Sequence, residues 1–465
     1  MESLLDEVLV VVLQYVDVPD LLSCRLVCKR LGELALHQDV WRHRRMSLMP
    51  DEWLAPALRL APCVENALFE LSAFGSHSLY TETECAVKSL AVYVAGAGGE
   101  EMLETAMHVI QNQLALGRLR GLTLLMEFNG SVDLEPLLHL LVYGRCGLEE
   151  LQIPVVSGIS GWWDPEPEDE VSLPESSLKR FRCVPHPMTR NFFNYMLKVH
   201  APTLEALDFH LWPWSRHWGP LLLRMPNLRE LVVDPYPGMA ALATCATLRR
   251  VILHAHARVK DAEEFLRRAH QLQSVSLRYT STEGQAVDDG GCMGLVLALA
   301  GRPGQSRLET LEIDDDRSDA SRCSYLRPLL AALPSLPALR HLEVNAVVEL
   351  LAGALTPAKA PALRTLRLNP VGLQLSKGIE CVCVHARLHE RSVFTLMADN
   401  PLVEVHMDAP RYCQAAPCKA CARGCHQDIL RAPPPHEEPH PEWGAIYSWV
   451  KMNQFKNLSK DFPPQ

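Results

Sequence analysis

Several large classes of protein are ruled out by what this 465-residue chain lacks. No apolar run approaches the roughly 18 residues that a membrane-crossing helix needs. The opening residues, MESLLDEVL, put acids where a secretory leader needs a basic start. DFPPQ at the other end is no lipidation signal. These absences predict an intracellular chain, in the cytoplasm, the nucleus or both, with no membrane partner. An excess of basic charge is also missing. Lys and Arg number 45 against 55 Asp and Glu, a net charge of -10 with both signs scattered, so the basic footprint of a nucleic-acid binder is absent and no nucleic-acid partner is expected. Cysteine is not scarce at 15 residues, but in a reducing compartment these read as buried thiols rather than as a disulfide framework.

What is present is a repeat. A phrase of leucine, two polar residues, an apolar residue, one polar and one apolar begins at Val87 and returns until Leu402, for instance as LRELVV from Leu228, LRRVIL from Leu248 and LRHLEV from Leu339. Twelve copies occur, the closest pair 20 residues apart, which is the period of a leucine-rich repeat. In a strand, alternate side chains point to opposite faces, so Leu231 and Val233 point to a core while Glu230, Val232 and Asp234 point away. One repeat cannot bury that face alone. Stacked copies predict an α/β solenoid with a parallel sheet on its concave face and helices on its convex face. The helical returns are visible too: Leu103, Met107, Ile110 and Leu114 form one apolar stripe over Glu100 to Leu116. The Gly96-Ala97-Gly98-Gly99 run before it lacks the spacing of a phosphate loop and reads as a turn.

Ahead of the repeats, residues 1–47 predict three short helices. Asp6 and Glu7 suit the start of the first, Pro19 suits the first turn of the second, and apolar spacing carries a third from Leu26 to Leu34. So small a module cannot bury all its apolar side chains, and some must stay outside unless a partner covers them. The order L-x-D-E-V-L from Leu4, then P-D-L-L from Pro19, V-C-K-R from Val27, L-A and Trp41 resembles an F-box without a gap. Leu5 stands where that family usually has proline, and Leu31 where it has an aromatic. The resemblance implies that the module docks a Skp-type adaptor and, through it, a cullin-RING ubiquitin ligase. It also implies that Leu4, Leu5, Val8, Leu9, Pro19, Leu22, Val27, Cys28, Leu31 and Trp41 contact the adaptor or hold the module together. An F-box followed by leucine-rich repeats is the arrangement of a substrate receptor.

The expected organisation is an F-box over 1–47, a helical linker and N-terminal cap over 48–86 with one helix from Asp51 to Leu60, a solenoid over 87–410, and a Cys-rich and Pro-rich tail over 411–465. Two long returns hold five of the nine tryptophans: Trp162 and Trp163, followed by an acidic run from Asp164 to Glu170, and Trp212, Trp214 and Trp218. These five are the substrate-binding candidates, since tryptophan is enriched at binding hot spots. The competing reading is that they fold under their own loops as a satellite core. The outward ladder mixes Arg180, Arg182, Asp208, His210, Glu230, Asp234, Arg250, His254, Arg278, Glu312, Asp314, His341, Glu343 and Arg367, which fits a protein partner better than a polyanion.

The tail carries two metal-like patterns. Cys413, Cys418, Cys421 and Cys425 are dense enough to hold a metal, but structural zinc sites usually pair two knuckles over a longer interval, so reduced thiols and no cofactor are the expectation. His436-Glu437-Glu438-Pro439-His440 matches H-E-x-x-H, yet Pro433 to Pro435 and Pro439 forbid the helix that motif requires. Further on, Trp443, Ile446 and Val450 suggest an amphipathic piece capping the last repeat. The chain thus reads as a non-catalytic subunit of a ubiquitin ligase that holds a protein substrate. The alternatives are an adaptor-independent repeat scaffold and a metal-dependent protein built on the tail.

Overall fold

The computed structural model describes residues 4–46, 49, 51–72, 78–96, 98–144, 147–160, 176–183, 189–209, 218–255, 260–279, 289–301, 306–315, 325–345, 348–368, 390–410 and 447–451. The chain forms two compact units, Met1–Trp214 with Arg224–Leu228, and Ser215–Leu223 with Arg229–Gln465. N-terminal helices are followed by a parallel array of strands, the architecture of a leucine-rich-repeat solenoid.

In the first unit the helices α1 (Asp6–Leu13), α2 (Val18–Cys24), α3 (Lys29–Ala35), α4 (Gln38–Trp41) and α5 (Asp51–Leu60) precede the strands. Six parallel strands follow in chain order: β1 (Cys63–Ser72), β2 (Ala86–Gly96), β3 (Gly121–Asp133), β4 (Glu150–Ser160), β5 (Arg180–Cys183) and β6 (Ala206–Asp208). The array begins one strand before the phrase at Val87. In β1, Val64, Ala67 and Phe69 hold the three core places, and the alanine in the middle conceals the pattern. The second unit holds β7 (Glu230–Val233), β8 (Arg250–His254), β9 (Ser274–Tyr279), β10 (Thr310–Asp315), β11 (His341–Val344), β12 (Thr365–Leu368) and β13 (Glu404–Pro410). The strand β14 (Tyr447–Lys451) pairs antiparallel with β13, so the piece expected to cap the last repeat includes a strand.

The phrase folds this way because its lead residue is a core anchor. From Val87 to Leu363 no lead residue is more than 5 % exposed. The next two N–H groups then share one carbonyl of the previous repeat: Arg249 and Arg250 both donate to the Arg229 carbonyl, at 2.8 and 2.9 Å. The last copy departs from the spelling. Leu402 is exposed, and Val403 is the buried lead, its N–H on the Asn400 carbonyl as Leu363 sits on Ala360. Buried Asn400 fixes that turn by donating to the carbonyls of Leu355 and Leu396, both at 2.9 Å.

After the short α6 (Ser78–Glu82) and β2, the return is α7 (Gly99–Ala115), close to the expected span, though its buried stripe centres on Met102, Leu103, Ala106, Val109, Ile110 and Gln113. Gln113 turns the helix, since its amide takes the Val87 N–H at 2.9 Å and gives to the Cys85 carbonyl at 3.1 Å. In the glycine run, Gly96 ends β2 and Gly98 precedes α7, both at positive φ, and a Cβ at Gly99 would overlap the Val132 side chain. The outward face is not open everywhere. Val232, Ile252 and Ser276, in register across β7–β9, are 8, 5 and 2 % exposed, so Val232 does not face solvent as the alternation alone suggests.

Candidate functional site: the N-terminal helical module

α1 is apolar nearly all round, and the small module can cover only one side of it. Leu9, Val10 and Leu13 turn inward, while Val8, Val11 and Val12 remain outside, with Leu4 and Leu5 before them and Tyr15 after. The third helix starts later than its apolar spacing implies. Cys28 is extended and caps α3, its sulfur accepting the Leu31 N–H at 3.4 Å, and this leaves Leu26 and Val27 in the preceding turn, 78 and 68 % exposed.

Arg30 joins the two apolar groups. Its guanidinium lies 2.6 Å from the Asp6 carboxylate and also donates to the Leu4 carbonyl, holding the start of α3 against the start of α1. The other end of the module is fixed from within. Trp41, fully buried, donates from Nε1 to the Ala35 carbonyl at 2.7 Å. The Arg44 guanidinium stacks 5.5 Å from the Trp41 ring and donates to the carbonyls of Leu13 and Val40 at 2.7 and 2.9 Å. Burial lowers the Arg44 pKa, an effect the Asp17 carboxylate partly offsets.

The module is also bonded to the first strand. Met46 donates to Asn66, Glu65 donates to Arg44, and Arg118 reaches back to the Arg42 carbonyl at 3.0 Å. A pose held by backbone bonds is stiffer than one held by a linker.

The residues the sequence singled out therefore divide. Leu4, Leu5, Val8, Val27 and Cys28 are exposed, and Pro19 and Leu22 are half-buried. Leu9, Leu31 and Trp41 are buried in the core, so of the two roles the resemblance implies they fill that of holding the module together rather than that of an adaptor contact. Val11, Val12, Tyr15 and Leu26 belong to the exposed surface and were missed. Their signal is the surplus of apolar positions in DEVLVVVL beyond the stripe one buried face can use. Trp218 is 6 % exposed inside the second unit, so burial corrects it as a contact residue. Trp162, Trp163, Trp212 and Trp214, His210, and Cys413, Cys418, Cys421 and Cys425 lie outside the described residues. On the outward ladder, Arg182 meets Asp208 at 3.1 Å, and Arg250–Glu230 and Arg367–Glu343 each meet at 3.5 Å.

A family model described as F-box-like matches residues 2–47. The chain therefore carries an F-box-like domain at its N-terminus. No curated protein matches the chain. Among solved structures, that of the TLR13-ssRNA13 complex is similar at 13 % identity and a TM-score of 0.31, over 66 % of this chain and 46 % of that one. A protein from Bacteroides fragilis is similar at 14 % identity and a TM-score of 0.31, over 60 % of this chain and 74 % of that one. The chain spans under half the length of the first of these, and similarity this low carries no functional argument.

Proposed function

We propose that this chain is the substrate-recognition subunit of an SCF-type ubiquitin ligase in the cytoplasm or nucleus. The F-box-like module holds a Skp-type adaptor, which links it to a cullin-RING ligase, and the repeats hold a protein target. The observation that carries this reading is the apolar surface of the module: eight large apolar side chains between Leu4 and Val27 stay exposed although the module is folded and anchored. An exposed apolar surface of this kind marks a protein interface. The chemistry belongs to the other subunits. This chain contributes proximity, raising the local concentration of target lysines near the charged ubiquitin carrier.

Co-expression of the full chain with a Skp-type adaptor tests the reading. The wild type is expected to co-purify with it, and Val8→Asp with Val27→Asp is expected to lose it while keeping its melting temperature. No adaptor with the wild type would leave the chain a repeat scaffold without a ligase, and equal recovery with both proteins would show that the exposed apolar surface is not where the adaptor docks.

A further inference from the structure

The first three strands carry an outward face unlike the rest of the array. α7 packs against β1, β2 and β3 from one side. On that side Phe69, Val92, Leu124 and Met126 are no more than 1 % exposed. The alternate residues point to the side away from α7. There Glu70, Tyr93 and Leu125 are directly in register, and Leu68 and Ala91 form the preceding row. Glu127 stands one row further on, opposite Ala95. Leu68, Ala91, Tyr93 and Leu125 are half-buried, and Glu70 and Glu127 are exposed.

The charges make the face directional. Elsewhere on the ladder three carboxylates meet arginines across the strands, Asp208 with Arg182, Glu230 with Arg250 and Glu343 with Arg367. Among the described residues, neither Glu70 nor Glu127 has an ion-pair partner, and the one Lys or Arg within β1–β4, Lys88 near the start of β2, is taken by Glu65 at 2.7 Å. The Tyr93 hydroxyl donates to Glu127 at 3.3 Å, which holds that carboxylate beside the apolar centre. Two strand spacings and one row separate Glu70 from Glu127, roughly 12 Å between Cα atoms.

We propose that this face of β1–β3 binds an extended segment of a protein target with the pattern basic–x–large apolar–x–basic. In an extended segment, alternate residues share a side and two such steps cover roughly 13 Å, so two cations flanking one apolar side chain match Glu70 and Glu127 across the Leu68, Tyr93 and Leu125 centre. The apolar side chain removes that centre from water, and the cations answer two carboxylates that have no ion-pair partner among the described residues. The inference rests on the reading of the repeats as the target-holding part of the chain.

The test uses the full chain and two fluorescein-labelled synthetic peptides, one with Lys-Ser-Leu-Ser-Arg at its centre and one with Glu-Ser-Leu-Ser-Glu, followed by fluorescence anisotropy. The wild type is expected to prefer the basic peptide by on the order of tenfold, with the preference shrinking as salt shortens the screening length. Glu70→Lys with Glu127→Lys is expected to reverse the preference, a gain that unfolding cannot imitate. Glu70→Gln with Glu127→Gln abolishes the preference with less risk to the fold, and Leu125→Ser weakens both peptides. Equal binding of the two peptides by the wild type, no binding of either, or a preference untouched by the glutamate variants overturns the proposal. Adaptor co-purification is scored on the same preparations. Peptide binding without adaptor binding would sink the ligase reading and leave this surface standing, and adaptor binding without the peptide preference would do the reverse.

Discussion

The F-box-like module and the repeat array use apolar side chains in opposite ways. Of the fifteen large apolar side chains exposed among the described residues, eight lie between Leu4 and Val27, in the module. In the array the lead residue of every phrase from Val87 to Leu363 is buried, because each repeat closes its core against the next. The array completes itself by repetition, whereas among the described residues the module has no neighbour on its outer side. A lead residue in the array therefore reports on folding, and under the proposed function an exposed apolar residue in the module reports on association.

The double variant Val8→Asp and Val27→Asp breaks that contrast most sharply. Adaptor binding is expected to fall below detection in a pull-down, while stability changes by no more than about 0.5 kcal/mol, since both positions are exposed. Asp at position 8 sits in the first turn of α1, where a negative charge suits the helix dipole. Trp41→Ala gives the opposite pattern: a loss of about 3–5 kcal/mol in denaturant unfolding, with adaptor binding lost because the module opens. In the array, Leu342→Ala is expected to cost about 2–5 kcal/mol and to leave the adaptor bound.

Much of this contrast was legible in the sequence, and its limits have physical causes. All twelve phrases coincide with strands because the spacing of core leucines is set by strand alternation, which the residues themselves carry. β1 escaped notice since Ala67 fills the place of a leucine, and Val403 was hidden behind Leu402 because one residue is missing between the lead and the strand. The F-box-like module was readable as a whole from Leu4 to Trp41. Which of its residues face out was not, because α1 has apolar residues on every side and only packing against α3 and α4 selects the buried ones. Likewise, Glu70 and Glu127 belong to no motif. Their relation appears only when β1 and β3 are placed in register on either side of β2.

Inside the array, polar residues that replace a core side chain sharpen the same comparison. Gln113→Leu leaves the Val87 N–H and the Cys85 carbonyl without their partner, with an expected loss of about 2–4 kcal/mol in urea unfolding despite the gain in apolar character. His200 is a milder case. Burial lowers its pKa to about 4, and its Nδ1 has no hydrogen-bond partner among the described residues. A folded-state pKa below the usual 6.5 means that the folded chain keeps the imidazole neutral. Its contribution is constant above pH 6.5 and is lost as the pH falls from 6.5 towards 4, by about 2–3 kcal/mol. His200→Leu removes that acid limb. Melting curves of the two proteins are expected to diverge below pH 6.5, with the wild type falling faster, and parallel curves down to pH 4 would show that the imidazole is not desolvated.

The smallest effect is expected on the outward ladder, at Glu343. Its carboxyl pKa is raised first by burial and then by Glu312, directly in register on β10, and the Arg367 guanidinium 3.5 Å away only partly compensates. A carboxyl whose folded pKa lies above the usual value costs stability once it is ionised. That cost is absent below the unfolded value of 4.5 and grows as the pH rises through the folded pKa. Glu343→Gln removes the charge, keeps the shape and gives up a half-exposed ion pair of little worth. The variant is expected to match or exceed the wild type at pH 7.5 by a few tenths of a kcal/mol, an advantage that narrows as the pH falls and vanishes below 4.5. If the variant is instead less stable at neutral pH, Arg367 outweighs burial and Glu312 together. Glu343 would then belong with the matched pairs of the ladder, and Glu70 and Glu127 would stand further apart from it.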